Sequence, residues 1–269
     1  MAKQHFAKRA KRANKPNPRE ERNSPDYQNN HKRRGGRGAD IVHLDEARTG
    51  FSNRRKQRVE LLPRNVAQEH YIDTLENEDN AIVFAMGPAG CGKTLLATLY
   101  AIQALQNNEI ERIVITRPAV SVDEQHGFLP GSLMEKMAPW VIPIMDVFKE
   151  YYSPQQIEKM LFDEVIEIAP LAYMRGRTFK NCIVLADEMQ NSTIEQTKMV
   201  LTRIGDGCRM IITGDLRQHD RGYKENGMAD FVNRIAKSGA SSISVVEFDQ
   251  THVERHPVIE QVLSLYGDD

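Results

Sequence analysis

The sequence predicts an α/β fold: a mostly parallel sheet with helices covering both faces. Three observations carry this expectation. Short apolar runs recur along residues 61–269 and read as strands buried on both sides. Stretches with helical spacing separate them, the alternation that goes with a parallel sheet. The first apolar run ends in a glycine-rich turn that leads straight into an amphipathic helix.

The elements follow in order. Asn65 can cap a helix that runs through Gln68 and Tyr71 to Leu75. Residues 81–85 make the first strand. Residues 93–106 follow as a helix, with Leu95, Leu96, Leu99 and Ile102 at helical spacing. Further strands are expected at 113–115, 165–168, 182–185, 210–212 and 243–246, and helices at 132–151, 193–204 and 228–237. Right-handed crossovers then place the strand ends, and any ligand site, on one edge.

The 269 residues and 40% apolar content suit one globular domain with an appendage. The net charge of -1 hides an asymmetry. Residues 1–60 hold 17 Lys/Arg against 7 Asp/Glu, and the remainder holds 19 against 30. Residues 1–38 are expected to form a disordered basic arm, because large apolar side chains are nearly absent and nothing offsets the entropy of ordering. The arm includes Lys32-Arg33-Arg34-Gly35-Gly36-Arg37-Gly38. A basic arm on an acidic body suits a polyanion such as nucleic acid; a merely solubilising leader is the alternative. Residues 39–60 are transitional, with Ile41, Val42 and Leu44 able to make one short paired element, and 61–269 form the folded domain.

Cys91, Cys182 and Cys208 are scattered, which suits a reducing compartment and gives neither a disulfide framework nor zinc-ligand spacing. No apolar run nears the roughly 20 residues of a membrane span. The basic N-terminus lacks the apolar segment of a secretory signal. The expectation is a soluble cytoplasmic protein with no membrane partner.

The segment Gly87-Pro88-Ala89-Gly90-Cys91-Gly92-Lys93-Thr94 fits the phosphate-binding pattern G-x-x-x-x-G-K-[ST] at every defined position. Glycines let backbone N–H groups converge on an anion, and the following helix N-terminus adds positive potential. Lys93 would bridge the β- and γ-phosphates, and the Thr94 hydroxyl would ligate Mg2+. Leu95 completes the nucleotide-binding set. About ninety residues on, the strand Ile183-Val184-Leu185-Ala186 ends in Asp187-Glu188. Asp187 would hold the metal through water, and Glu188 would orient and deprotonate the attacking water. A third strand ends in Thr213-Gly214-Asp215-Leu216-Arg217-Gln218. Gln218 there is equally a γ-phosphate sensor or part of an ordinary strand-to-loop turn capped by Asp215.

These motifs, taken together, resemble those of the PhoH-like proteins, P-loop ATPases related to the core domain of superfamily 1 helicases. The resemblance spans roughly residues 61–266. It also rests on Arg117-Pro118-Ala119-Val120, Gly127-Phe128-Leu129-Pro130-Gly131, the long stretch from Ile168 to Thr178, Leu201-Thr202-Arg203-Ile204-Gly205, Asp187-Glu188-Met189-Gln190-Asn191 and Arg255-His256-Pro257. The sequence departs from the family's pattern at Cys91, often threonine or serine, at Met189, usually alanine, and across Asp123-Glu124-Gln125-His126.

The resemblance implies a RecA-like P-loop NTPase fold with ATP and Mg2+ as ligands. It further implies that Gln68, in Arg64-Asn65-x-x-Gln68, reads the adenine edge. Gln218 resembles a coupling glutamine, and Arg255 an arginine finger. Arg255 would act across a subunit boundary, so a homo-oligomer is expected, a hexameric ring above all. Arg175 and Arg177 either line a nucleic-acid path or pair with the acidic body. Neither the PIN-type nuclease of some relatives nor a second RecA-like domain is expected. The implied activity is ATP hydrolysis coupled to remodelling of nucleic acid, single-stranded RNA first. An ATP-dependent nucleic-acid-binding adaptor with little turnover is the other reading. A small-molecule kinase would need an arginine-rich lid, and Gly214-Asp215-x-x-Gln218 argues against it.

Overall fold

A computed structural model describes residues 58–118, 133–217 and 226–254, together with Val258, Ile259, Val262 and Leu265; all lie in the unit Arg55–Asp269. The basic arm, the element expected at Ile41, Val42 and Leu44, the 119–131 loop, Gln218 and Arg255 lie outside the described residues.

Six strands form one parallel sheet: β1 (Ile82–Met86), β2 (Arg112–Thr116), β3 (Ile166–Ile168), β4 (Cys182–Ala186), β5 (Arg209–Gly214) and β6 (Ile243–Glu247). Their spatial order is β3-β2-β4-β5-β1-β6. β1 and β4 are buried along their whole length. That is why they read as unbroken apolar runs rather than as alternating ones.

Alternate side chains nonetheless serve two cores. Val83, Ala85, Ile113, Ile115, Ile183 and Leu185 point to one face. There they meet α1 (Val66–Glu76), α2 (Lys93–Gln106), α3 (Leu133–Tyr151) and α4 (Pro154–Phe162). Phe84, Val114, Val184 and Ile212 point to the other face, against α5 (Ile194–Leu201) and α6 (Gly227–Ser238). The expected two-sided coverage is therefore observed, and the architecture is the RecA-like α/β type. No helix among the described residues is long and apolar enough to cross a membrane.

Three details depart from the sequence reading. The helix α4 was not expected; it starts from a capping box in which Ser153 and Gln156 exchange bonds, with Pro154 in the first turn. The helix expected to reach residue 204 ends at Leu201, because Ile204 is already paired with Phe179 on the way into β5. Val59 is buried at 5% exposure, so the packed body already includes residues just ahead of 61.

Candidate functional site

The loop after β1 is built by glycines at the positions where its geometry needs them. Gly87, Gly90 and Gly92 have φ of 145°, 93° and 84°, a region L side chains rarely adopt. A Cβ on Gly87 would stand 2.4 Å from the carbonyl oxygen of Phe248. Gly92 is the N-cap of α2, so the helix opens directly under the loop. The result is a cradle of backbone lying against a helix N-terminus, chemistry that fits an anion.

Lys93 is largely buried and folds back over the loop. Its Nζ donates to the carbonyls of Gly87 and Pro88, each at 2.7 Å. The Cys91 thiol donates to the Pro88 carbonyl at 2.6 Å, and burial pushes its pKa up. Gln68, buried at 4% exposure, joins the loop to α1. Its Nε2 donates to the Cys91 carbonyl at 3.1 Å, and its Oε1 accepts from the Arg64 N–H at 2.9 Å. Asn65 caps α1 by accepting from the Gln68 N–H at 3.0 Å, as its sequence position suggests.

The carboxylates arrive from β4, two strands away. The Thr94 hydroxyl donates to Asp187 Oδ1 at 2.8 Å, and the Thr213 hydroxyl at the end of β5 donates to the same oxygen. Glu188 has φ of 54°, an uncommon backbone state for a non-glycine residue. Both residues border a cavity of about 280 Å³, shared with Gly90, Lys93, Thr94 and Gly214. Strand order explains the convergence: β1, β5 and β4 are neighbours, and their carboxyl ends open onto one crevice.

A hydroxyl and a carboxylate sharing a hydrogen bond at the rim of a phosphate cradle are hard oxygen donors. They fit Mg2+, which takes one or two protein oxygens and fills its shell with water and phosphate oxygens. Thr94 and Asp187 would hold it, and the ion would supply charge neutralisation at the phosphates.

Three contributors were not picked out as site residues from the sequence. Thr213 donates to Asp187, as above. Gln190 is buried at 4% exposure; its Nε2 donates to Glu188 Oε2, and its Oε1 accepts the Asp215 N–H at 3.1 Å. Arg117 places guanidinium nitrogens 3.9 Å from both Asp187 and Glu188. Their only sequence signal was membership in the family stretches. Asp215 Oδ1 accepts the Arg217 N–H at 2.9 Å, as in the turn that is one of the two readings of this stretch; Gln218, on which the other rests, lies outside the described residues.

The two arginines read as a pair have separate fates. Arg177 makes two bonds to Glu167, whose pKa they lower, and lies 4.7 Å over the Phe179 ring. Arg175 is exposed and has no ion pair among the described residues.

The segment after β6 also meets the loop. The Phe248 N–H donates to the Met86 carbonyl at 2.7 Å and the Glu254 N–H to the Gly90 carbonyl at 3.0 Å. Asn65 Nδ2 reaches the carbonyl of His252 at 3.4 Å and Glu254 Oε1 at 3.3 Å.

The sequence pattern of the family described as PhoH-like protein matches residues 60–267. A PhoH-like protein of Bacillus subtilis is 44% identical over 205 residues, covering 76% of this chain and 63% of that one. One from Synechocystis is 43% identical over 203 residues, covering 74% and 60%. Protein PhoH of Escherichia coli K12 is 39% identical over 211 residues, covering 77% and 58%. The chain thus spans about three fifths of the length of these relatives. Among solved structures, the Hef helicase domain of Pyrococcus furiosus aligns at a TM-score of 0.41 with 12% identity, over 73% of this chain and 39% of that one.

Proposed function

The chain belongs to the PhoH-like family, and from that premise we propose that it is a Mg2+-dependent ATPase that couples hydrolysis to remodelling of single-stranded nucleic acid, RNA first. The observation that carries the reading is the meeting of Thr94 and Asp187 at the rim of the glycine cradle. Phosphates on the cradle would displace the two carbonyls from Lys93 Nζ, which would then bridge the β- and γ-oxygens. Glu188 would take the proton of the attacking water, with Gln190 holding its other oxygen in place. Arg117, with guanidinium nitrogens 3.9 Å from both carboxylates, sits where it can meet charge on the transferring group.

Arg255 and Gln218 complete the proposed machinery: Arg255 from a neighbouring subunit of a hexameric ring, Gln218 as the γ-phosphate sensor. Gln68 is the proposed adenine reader. Its amide is held between the Arg64 N–H and the Cys91 carbonyl, which ties the proposed reader to the loop. The basic arm of residues 1–38 is proposed as a polyanion tether, and the cytoplasm as the compartment.

The test is ATP turnover by purified protein with Mg2+, with and without single-stranded RNA. Lys93→Ala and Glu188→Gln are each expected to lower turnover on the order of 10²-fold. Full turnover by either variant sinks the proposal. The adaptor reading is favoured instead if wild-type protein binds ATP and RNA yet does not turn over.

A further inference from the structure

The body that carries the site is acidic: residues 61–269 hold 19 Lys/Arg against 30 Asp/Glu. One groove runs against that balance. It has a volume of about 450 Å³ and lies between the segment after the 3-10 turn Leu171–Met174 and helix α5. Arg175, Lys198 and Arg203 line it, with Glu195 as the one carboxylate.

The cations are differently held. Arg203 is anchored on neutral acceptors: Nε donates to the Met199 carbonyl at 3.1 Å, Nη1 to the Arg177 carbonyl at 3.4 Å and Nη2 to the Thr202 hydroxyl at 3.2 Å. It makes no ion pair among the described residues. Arg175 and Lys198 are exposed, and neither makes an ion pair among the described residues. Gly176 sits on the groove wall with φ of 80°, and nothing lies within 4 Å of where a Cβ would stand. Tyr173, two positions ahead of Arg175, is a 63% exposed aromatic.

Three cations without an ion pair among the described residues, with an exposed ring two positions ahead of Arg175 in the chain, are a composition that suits single-stranded nucleic acid: charge for the phosphates and a π-face for a base. An acidic polypeptide would use the cations but has no need of the ring. We infer that this groove is a track for single-stranded nucleic acid, with Arg175, Lys198 and Arg203 on successive phosphates and Tyr173 stacked on a base. The inference rests on the nucleic-acid reading of the proposed function and assigns it a surface.

The groove is also wired to the carboxylates. Helix α5 follows directly on the turn Met189–Asn191 that carries Gln190. The Ser192 and Thr197 hydroxyls, 2.7 Å apart, join that turn to the helix. A strand lying against Lys198 would therefore press on the element that positions Glu188, a route by which nucleic acid would stimulate turnover.

The test uses the full chain and a short fluorescent oligouridylate read by anisotropy across a salt series, with a 4-thiouridine version for crosslinking. The Arg175→Ala, Lys198→Ala double variant is expected to bind roughly tenfold more weakly, with a salt slope shallower by about 1.4 for two lost phosphate contacts. Its basal ATP turnover without RNA should equal wild type, and wild-type crosslinks should map to the peptide holding Tyr173. Unchanged affinity in the double variant, with crosslinks confined to residues 1–38, overturns the groove while leaving the nucleic-acid reading intact. No binding by the full chain removes that reading and the groove with it. Polyglutamate that competes as well as RNA would make the partner an acidic protein and overturn the inference.

Discussion

Thr94 and Asp187 stand ninety-three residues apart in sequence and share a hydrogen bond of 2.8 Å. The same carboxylate oxygen accepts from Thr213, so β5 as well as β4 fixes its orientation. Thr94→Val and Thr213→Val separate the two duties. Thr94→Val removes a proposed metal oxygen and the bond together, while Thr213→Val removes only an orienting bond. Both should raise the Mg2+ concentration for half-maximal ATP turnover, by on the order of 10-fold or more, with Thr94→Val the larger. A magnesium titration of turnover decides it; a shift confined to Thr213→Val would contradict the assignment.

Gly87→Ala should be the most damaging of the loop substitutions. Its φ of 145° is unfavourable for alanine, and the new Cβ would press on the backbone of Phe248, which cannot swing aside as a side chain tip does. The expected cost is about 1–3 kcal/mol of stability, together with loss of nucleotide binding. Thermal unfolding and a fluorescent-nucleotide titration measure the two. Gly176→Ala is the contrasting case, since it meets open space and pays only the backbone term of about 1–2 kcal/mol.

Gln68→Ala tests a double role. It strips partners from the Arg64 N–H and the Cys91 carbonyl, which should cost about 1–3 kcal/mol. If Gln68 also reads adenine, the preference for ATP over GTP shrinks in the same variant. Lost stability with intact preference would confine Gln68 to bracing the loop.

Tyr71 offers the opposite sign. Its ring is fully buried edge-on to Phe248, with centroids 5.7 Å apart, but its hydroxyl has no hydrogen-bond partner among the described residues. Burial pushes its pKa well above the usual tyrosine range, with the charge of Asp187 adding to the effect. Tyr71→Phe keeps the packing and deletes the stranded hydroxyl. It should leave stability unchanged or raise it by about 1 kcal/mol, read as Tm.

Glu167→Gln probes the pair behind the groove. Bonds from Arg177 hold the Glu167 carboxyl below its ordinary value. A depressed folded pKa means that the pair stabilises fully above the unfolded value of about 4.3. That stability is lost as the pH falls through the folded value. Glu167→Gln should therefore cost about 1 kcal/mol near neutrality, after allowance for solvent screening, and converge with wild type in acid. Unfolding curves across the acid range measure it; parallel curves at every pH would refute the linkage.

What could be read in advance followed from burial on two faces. β1 and β4 announce themselves because each residue meets a core on one side or the other. The phosphate loop was legible because its glycines answer a local backbone need. Gln190 was not, because it links Glu188, two residues before it, to the Asp215 N–H, 25 residues on and just after β5, and no spacing encodes that second approach. Helix α4 carried a signal at Ser153, Pro154 and Gln156 and an apolar stripe at Ile157, Met160 and Leu161, but at nine residues it holds too few turns for periodicity to single it out. Arg175 and Arg177 looked equivalent in sequence; Glu167 on β3, beside only one of them, sets them apart.

Glu254 bonds to Gly90 and Gln68 to Cys91, while Asn65 joins the cap of α1 to His252, so the segments on either side meet at one short loop. Phe248 adds a third knot at Met86. A phosphate that shifts Gly90 must drag the capping end of α1 and the tail of β6 with it. The loop is thus a hub through which a domain's first and last segments feel the same ligand. Labels placed near residues 65 and 252 would move as one, and cutting the chain after Phe248 would surface as a nucleotide defect rather than a folding one.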